Sequence, residues 1–176
     1  MSNPLPLFNI AAIPATELHP VFFDAASQFA PYATKYCLKP EAALPHVTLC
    51  QFRAPDIAAA LSLTQNDRGK TLPLKATSLY IKKRENSFTI GHIIERSAPL
   101  MALQASLIDH LRQTATEILT GKGDDYFPHV TLARINRLPT LASSFFLQAE
   151  TPLPCKLRLG LSDENGQFLK CLDGPL

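Results

Sequence analysis

No apolar run in this chain reaches the roughly 18 residues that a membrane-spanning helix needs, so no membrane association is expected. Residues Met1 to Phe8 carry neither a basic segment nor a long apolar stretch. A secretory leader is therefore not expected, and the cytoplasm is the expected location. The four cysteines, Cys37, Cys50, Cys155 and Cys171, form no C-x-x-C pair and no zinc-ligand spacing. A disulfide framework is not expected at this length, which suits a reducing compartment. Cys50 and Cys171 lie in apolar, strand-like contexts and are expected to be buried thiols. Neither sign of charge dominates: the formal net charge is +2. That is too little for extended duplex binding and compatible with a small anionic substrate. No cluster of carboxylates offers a divalent-cation site. Gly121-Lys122-Gly123 lacks the G-x-x-x-x-G-K-[ST] spacing of a phosphate-binding P-loop. No cofactor and no metal are expected.

Apolar residues make up 46% of the 176, enough to fill the core of one domain or of two small lobes that share it. Residues 7–13 read as a buried strand closed by Pro14. A helix is predicted over 15–29 from the spacing of Leu18, Val21, Phe22, Ala25 and Phe29. Residues 31–44 read as a loop. A strand over 46–52, a short helix over 55–63 and a polar loop over 65–70 follow. Residues 72–81 and 87–94 read as a hairpin turned by Lys82 to Asn86. The basic run Lys82-Lys83-Arg84 is then a solvated turn, or a set of cations at a cleft mouth. The apolar stripe of Leu100, Leu103, Leu107, Ile108, Leu111, Ala115, Ile118 and Leu119 predicts a helix over 98–119. A strand over 126–135, a short helix over 141–147 and a hairpin over 156–162 and 167–172 complete the chain, with Asn165-Gly166 as the turn.

One phrase organises these elements. Pro45-His46-Val47-Thr48-Leu49 recurs unchanged as Pro128-His129-Val130-Thr131-Leu132. Each copy has strand composition, with proline at the entrance, where its missing N–H costs least. Side chains alternate across a strand. His46 and Thr48 therefore share one face, His129 and Thr131 another, and the aliphatic residues anchor the opposite sides. Acid–base chemistry at a phosphate needs one group that accepts a proton and one that donates it, and histidine suits both roles. Threonine hydroxyls can hold the phosphate oxygens. A lone histidine would read as a core residue. Accordingly His19 and His110 are expected on helix surfaces and His92 in a structural role.

The two H-x-T-x motifs resemble those of the 2H phosphoesterase superfamily, in its bacterial 2′-5′ RNA ligase and RNA 2′,3′-cyclic phosphodiesterase branch. Phe127-Pro128-His129-Val130-Thr131-Leu132-Ala133-Arg134 matches the branch's usual second motif. The first motif departs from it, since Cys50-Gln51-Phe52-Arg53 stands where a Phe and a Gly often follow. The resemblance implies metal-independent chemistry on an RNA end or small nucleotide. His46 and His129 would be the acid–base pair, Thr48 and Thr131 the phosphate ligands, and the cyclic phosphate would open to a 2′-phosphate. A weak reverse RNA ligase activity is implied by the branch's name, although the chain shows no ATP site to drive it.

The halves share a plan of helix, loop, motif strand and short helix. An α+β fold is predicted, as a pseudo-twofold duplication with lobes of about 1–70 and 71–176 in a single domain; exchange of strands between the lobes is left open. The two motif strands would face each other across a central groove, and the resemblance implies two lobes of antiparallel sheet lining it with helices outside. A monomer is expected, with no protein partner inferred. Three further residues are candidates for substrate contact. Arg134 fits the H-x-T-L-x-R form, but strict alternation puts it opposite His129 unless a bulge intervenes. Tyr126 offers a ring to an unpaired base, whereas Phe127 is expected to pack the groove wall. Phe52 shares parity with His46 and is a second base platform. Other readings are a phosphodiesterase for 2′,5′-linked oligoadenylate or ADP-ribose 1″,2″-cyclic phosphate, a nucleotide-binding module without turnover, and a structural protein with a chance repeat.

Overall fold

The computed structural model describes residues 5–113, 117–121, 123–139 and 152–174. Short segments rich in β-branched and aliphatic residues pair into two antiparallel sheets. In the first, β1 (Leu7–Pro14) lies between β3 (Val47–Arg53) and β9 (Leu153–Ser162) and is buried along its whole length. Its central place explains its apolar composition, which only the buried Asn9 interrupts. β10 (Phe168–Cys171) and β4 (Thr71–Leu74) pair with β9, and β7 (Glu117–Ile118) pairs with β3. The second sheet runs β2 (Ala33–Cys37), β8 (His129–Ile135), β6 (Ser87–Ile94), β5 (Ala76–Arg84).

The orders β9-β1-β3-β7 and β5-β6-β8-β2 match position for position. In each, the strand leading toward one motif pairs with the other motif's strand: β2 precedes β3 in the chain yet pairs with β8, and β7 precedes β8 yet pairs with β3. Among the described residues three α-helices pack against the sheets, α1 (His19–Ser27) on β8, α2 (Ile57–Thr64) on β9, and α3 (Ala98–Gln113) on β3 and β7. The Asp56 carboxylate caps α2 by accepting the Ala59 N–H at 2.8 Å. Leu100, Leu107, Ile108 and Leu111 form the buried stripe of α3.

Several expectations need correction. Residues 33–37 are an edge strand, not loop; their half-exposed mixture of Lys, Thr and Tyr gives no alternation to read. The strand expected over 72–81 is broken at Lys75, where the chain leaves one sheet for the other. The hairpin turn is Glu85-Asn86 alone, with Arg84 opposite Ser87, so Lys82, Lys83 and Arg84 belong to β5. α3 ends at Gln113, Ile118 pairs with Phe52 in β7, and Leu119 is exposed. His19 is buried rather than on the surface, with Nε2 at 2.9 Å from the Pro14 carbonyl. Cys171 is half-buried. The helix expected over 141–147 lies outside the described residues.

Both motif strands carry a bulge at the same place. Against β1, Cys50 pairs with Ile10 and Thr48 with Ala11, leaving Leu49 as the extra residue. Against β6, Ala133 pairs with Ile90 and Thr131 with Gly91, leaving Leu132. A bulge reverses the alternation beyond it. Phe52 and Ile135 therefore turn into the core, and Gln51 and Arg134 come to the side of the motif histidines.

Candidate active site

His46 stands one residue before β3 and His129 opens β8. Their strands belong to different sheets, and both imidazoles line one cavity of about 170 Å³. The outer wall is cationic. Lys82 and Arg84 reach it from β5 and Arg134 from β8, and among the described residues no carboxylate lines it.

The two histidines begin alike. His129 Nδ1 lies 2.7 Å from the Phe127 carbonyl, and His46 Nδ1 lies 2.8 Å from the Leu44 carbonyl, two residues back in each case. A carbonyl only accepts, so each Nδ1 carries the proton and donates. The turn before each strand thus fixes the ring and points Nε2 forward. There the resemblance ends. Among the described residues no protein atom bonds His129 Nε2, which therefore presents a lone pair to the cavity in the neutral ring. His46 Nε2 meets the Gly166 carbonyl at 3.0 Å. With acceptors at both nitrogens, the His46 ring is fully satisfied only when each nitrogen bears a proton.

Burial pushes the pKa of His129 down; the Phe127 carbonyl opposes this, and the charges of His46, Lys82 and Arg84 add to the lowering. Burial also lowers that of His46, which is only 8% exposed, while the Leu44 and Gly166 carbonyls and Asp163 push it up. Burial thus favours the neutral form at both rings; neighbouring cations add to this at His129, whereas the carbonyl acceptors oppose it at His46.

Tyr80 frames the second half of the site. Its ring meets the ring of His129 edge-on at 5.1 Å and that of Phe127 at 5.4 Å, and its hydroxyl lies 3.4 Å from Thr131 Oγ1. A glycine at 91 makes room for it, since a Cβ there would strike both the Tyr80 ring and the Val130 carbonyl. Burial pushes the Tyr80 phenol up to about 12, so it remains a neutral donor near neutral pH.

Of the predicted site residues, the structure brings His46, His129, Thr131 and Arg134 to the cavity. Thr48 is not on the cavity wall; its hydroxyl accepts from Asn9 Nδ2 at 2.9 Å. Phe52 is not a base platform. The Leu49 bulge turns it into the core, fully buried beside Phe8 at 5.7 Å between ring centroids. Tyr126 is also buried, its hydroxyl donating to the Thr48 carbonyl at 3.0 Å, so its ring is not open to a base. Phe127 lines the cavity, as a wall residue should, yet stays 46% exposed. Sequence reasoning missed Tyr80 and Gly166; of its two readings of the basic run, a solvated turn or cations at a cleft mouth, the second holds for Lys82 and Arg84. For the last two, the alternation of β5 held the signal once its true length was known.

No protein-family model matches the chain, and no curated protein matches it in sequence. Its architecture does have counterparts among solved structures. The fold is like that of E. coli LigT. The structure of LigT complexed with phosphate covers 98% of this chain, with 96% of its own length matched, at 18% identity and a TM-score of 0.50. LigT complexed with 3′-AMP gives 99%, 96%, 18% and 0.50. A protein described as a phosphoesterase gives 91%, 90%, 17% and 0.50. At these identities the likeness is one of fold, and the LigT-like arrangement spans nearly the whole chain.

Proposed function

We propose that this chain is a metal-independent phosphodiesterase that opens RNA 2′,3′-cyclic phosphate ends to 2′-phosphates by paired-histidine catalysis. One observation carries the reading: two imidazoles from the two copies of one motif reach a single cavity with opposite hydrogen-bonding at Nε2. The anionic ligands in the LigT structures, phosphate and 3′-AMP, agree in charge with a cavity walled by Lys82, Arg84 and Arg134.

In this reading the phosphate lies between the histidines. Water attacks phosphorus, and His129 Nε2 takes its proton. The bond from phosphorus to the ribose O3′ breaks, and His46 Nε2 delivers a proton to that oxygen. The product is a 2′-phosphomonoester, and both rings return to their starting states by exchange with solvent. Arg134, Lys82 and Thr131 face the charge on the non-bridging oxygens. Thr48, whose hydroxyl accepts from Asn9 Nδ2, steadies the first motif strand.

The test is hydrolysis of an RNA oligonucleotide with a 2′,3′-cyclic phosphate end, in the presence of EDTA. Turnover should persist with the chelator and fall by about 10²–10⁴-fold in each of His46→Ala and His129→Ala. Turnover lost to EDTA, or retained in both variants, would refute the mechanism. Activity confined to 2′,5′-linked oligoadenylate or ADP-ribose 1″,2″-cyclic phosphate would keep the chemistry and change the substrate. Binding without turnover on any of these would make the chain a nucleotide-binding module.

A further inference from the structure

The β9–β10 turn, residues 163–167, reaches into the cavity with Asn165, Gly166 and Gln167. It is braced internally. Asp163 Oδ1 accepts from the backbone N–H groups of Asn165 and Gln167, each at 2.9 Å, and Oδ2 accepts from Asn165 Nδ2 at 3.2 Å. At its base, Gln51 Nε2 donates to the Asp163 carbonyl at 3.2 Å. Two bonds tie its tip to the catalytic groups. The Gly166 carbonyl accepts from His46 Nε2 at 3.0 Å, and Asn165 Oδ1 accepts from Arg134 Nη1 at 3.3 Å. Gly166 holds a φ of +83°, which a side chain would disfavour.

The two ties have a common consequence. The proton that the leaving oxygen must receive is the one now held by the Gly166 carbonyl. The guanidinium that would meet the phosphate is the one now holding Asn165. We propose that the Asn165-Gly166 peptide is a positioning element for His46, released by substrate: a phosphate entering the cavity draws Arg134 off Asn165, and the turn then withdraws its carbonyl from Nε2. Before release, the carbonyl keeps a proton on Nε2 and so holds His46 ready as the acid. After release, the leaving oxygen takes the carbonyl's place. Among the described residues His129 Nε2 has no such cover, which fits a base that must be open to water. The proposal rests on the phosphodiesterase reading above and adds the gate.

The test uses inorganic phosphate as the probe and the ¹⁵N resonances of the histidine side chains as the readout. The His46 signals are assigned by their loss in His46→Ala. In the wild type, phosphate should move the His129 and His46 Nε2 signals along one titration curve. In Asn165→Ala, which cuts the tether at an exposed residue, the His46 signal should already lie near its phosphate-bound position without phosphate. The variant should also bind phosphate about two- to fivefold more tightly, because less of its binding-competent form must be populated by the ligand. Unchanged signals of the buried His19 and His92 would show that the variant is folded. If phosphate moves His129 and leaves His46 Nε2 unmoved, the gate is refuted and the phosphodiesterase reading stands. If phosphate moves neither histidine, both fail.

Discussion

Leu49 and Leu132 stand at the same point of the two motif strands, and each is the unpaired residue of a β-bulge. Without the bulge at Leu132, Arg134 would lie on the core face with Val130. With it, the guanidinium lies beside His129 and Thr131 at the cavity. The corresponding residue of the first motif is Gln51, which braces Ser162 and Asp163 instead. One local irregularity, used twice, gives one half of the site a cation and the other half a support for a turn.

Arg134→Ala is accordingly expected to lower kcat/KM on a cyclic phosphate by about 10²–10³-fold, the usual cost of removing one donor to transition-state charge. The loss should fall largely on kcat, because charge on the non-bridging oxygens builds during the reaction. Arg134→Lys keeps the charge without the forked geometry and should recover only part of the rate. A change confined to KM would assign Arg134 to ground-state binding alone.

The pH dependence follows from the two imidazoles. His129 must be neutral to act as base, and its pKa is lowered chiefly by burial. The acidic limb of kcat/KM should therefore lie below the ordinary histidine value near 6.5. His46 must be protonated to act as acid, and burial lowers it as well, against its two carbonyls. Activity should then fall as pH rises through the His46 value, placing the optimum on the acid side of neutrality. Removing the like charge at position 82 by Lys82→Met should move the acidic limb upward, and added salt should have the same sign of effect. An acidic limb that does not respond to Lys82→Met would place another group in the base role.

The duplicated motif made the two cavity histidines and the α+β class legible, because a five-residue identity and a period of two survive without any knowledge of tertiary contacts. Position 134 was ambiguous because a bulge has no residue signature here: Leu132 is an ordinary strand residue. Phe52 was misplaced for the same reason, its parity counted through a bulge at Leu49. β2 stayed hidden because an edge strand of mixed polarity has no period. The contact of Gly166 with His46 joins residues far apart in the chain through a backbone carbonyl, which no side-chain pattern encodes.

His92 gives the fold its own acid sensitivity. It is 1% exposed, and burial lowers its pKa to about 4. The native state holds it neutral, while the unfolded chain protonates it below about 6.5. The unfolded state therefore binds more protons between those values, and stability drops as pH falls from about 6.5 toward 4, by up to roughly 3 kcal/mol. His92→Leu should flatten that part of the stability curve, measured by denaturant unfolding at a series of pH values. The same slope in the variant would assign the acid sensitivity to another group.

Tyr126 and Phe127 are neighbours with opposite duties. The Tyr126 hydroxyl holds the backbone carbonyl of Thr48, in the other motif strand, from a buried position. Tyr126→Phe should cost about 1 kcal/mol in unfolding free energy, the usual net worth of such a bond. Its KM should stay near that of the wild type. Phe127 is exposed at the cavity, its ring 5.3 Å from that of His129 and tilted by 33°. That is where a terminal base could stack. Phe127→Ala should change stability little and weaken nucleotide binding by about 1–3 kcal/mol, read as a raised KM or a weaker Kd for 3′-AMP. Inorganic phosphate has no base to lose and should bind both proteins alike. If phosphate binding weakened as much as nucleotide binding, Phe127 would be acting through His129 rather than on the base.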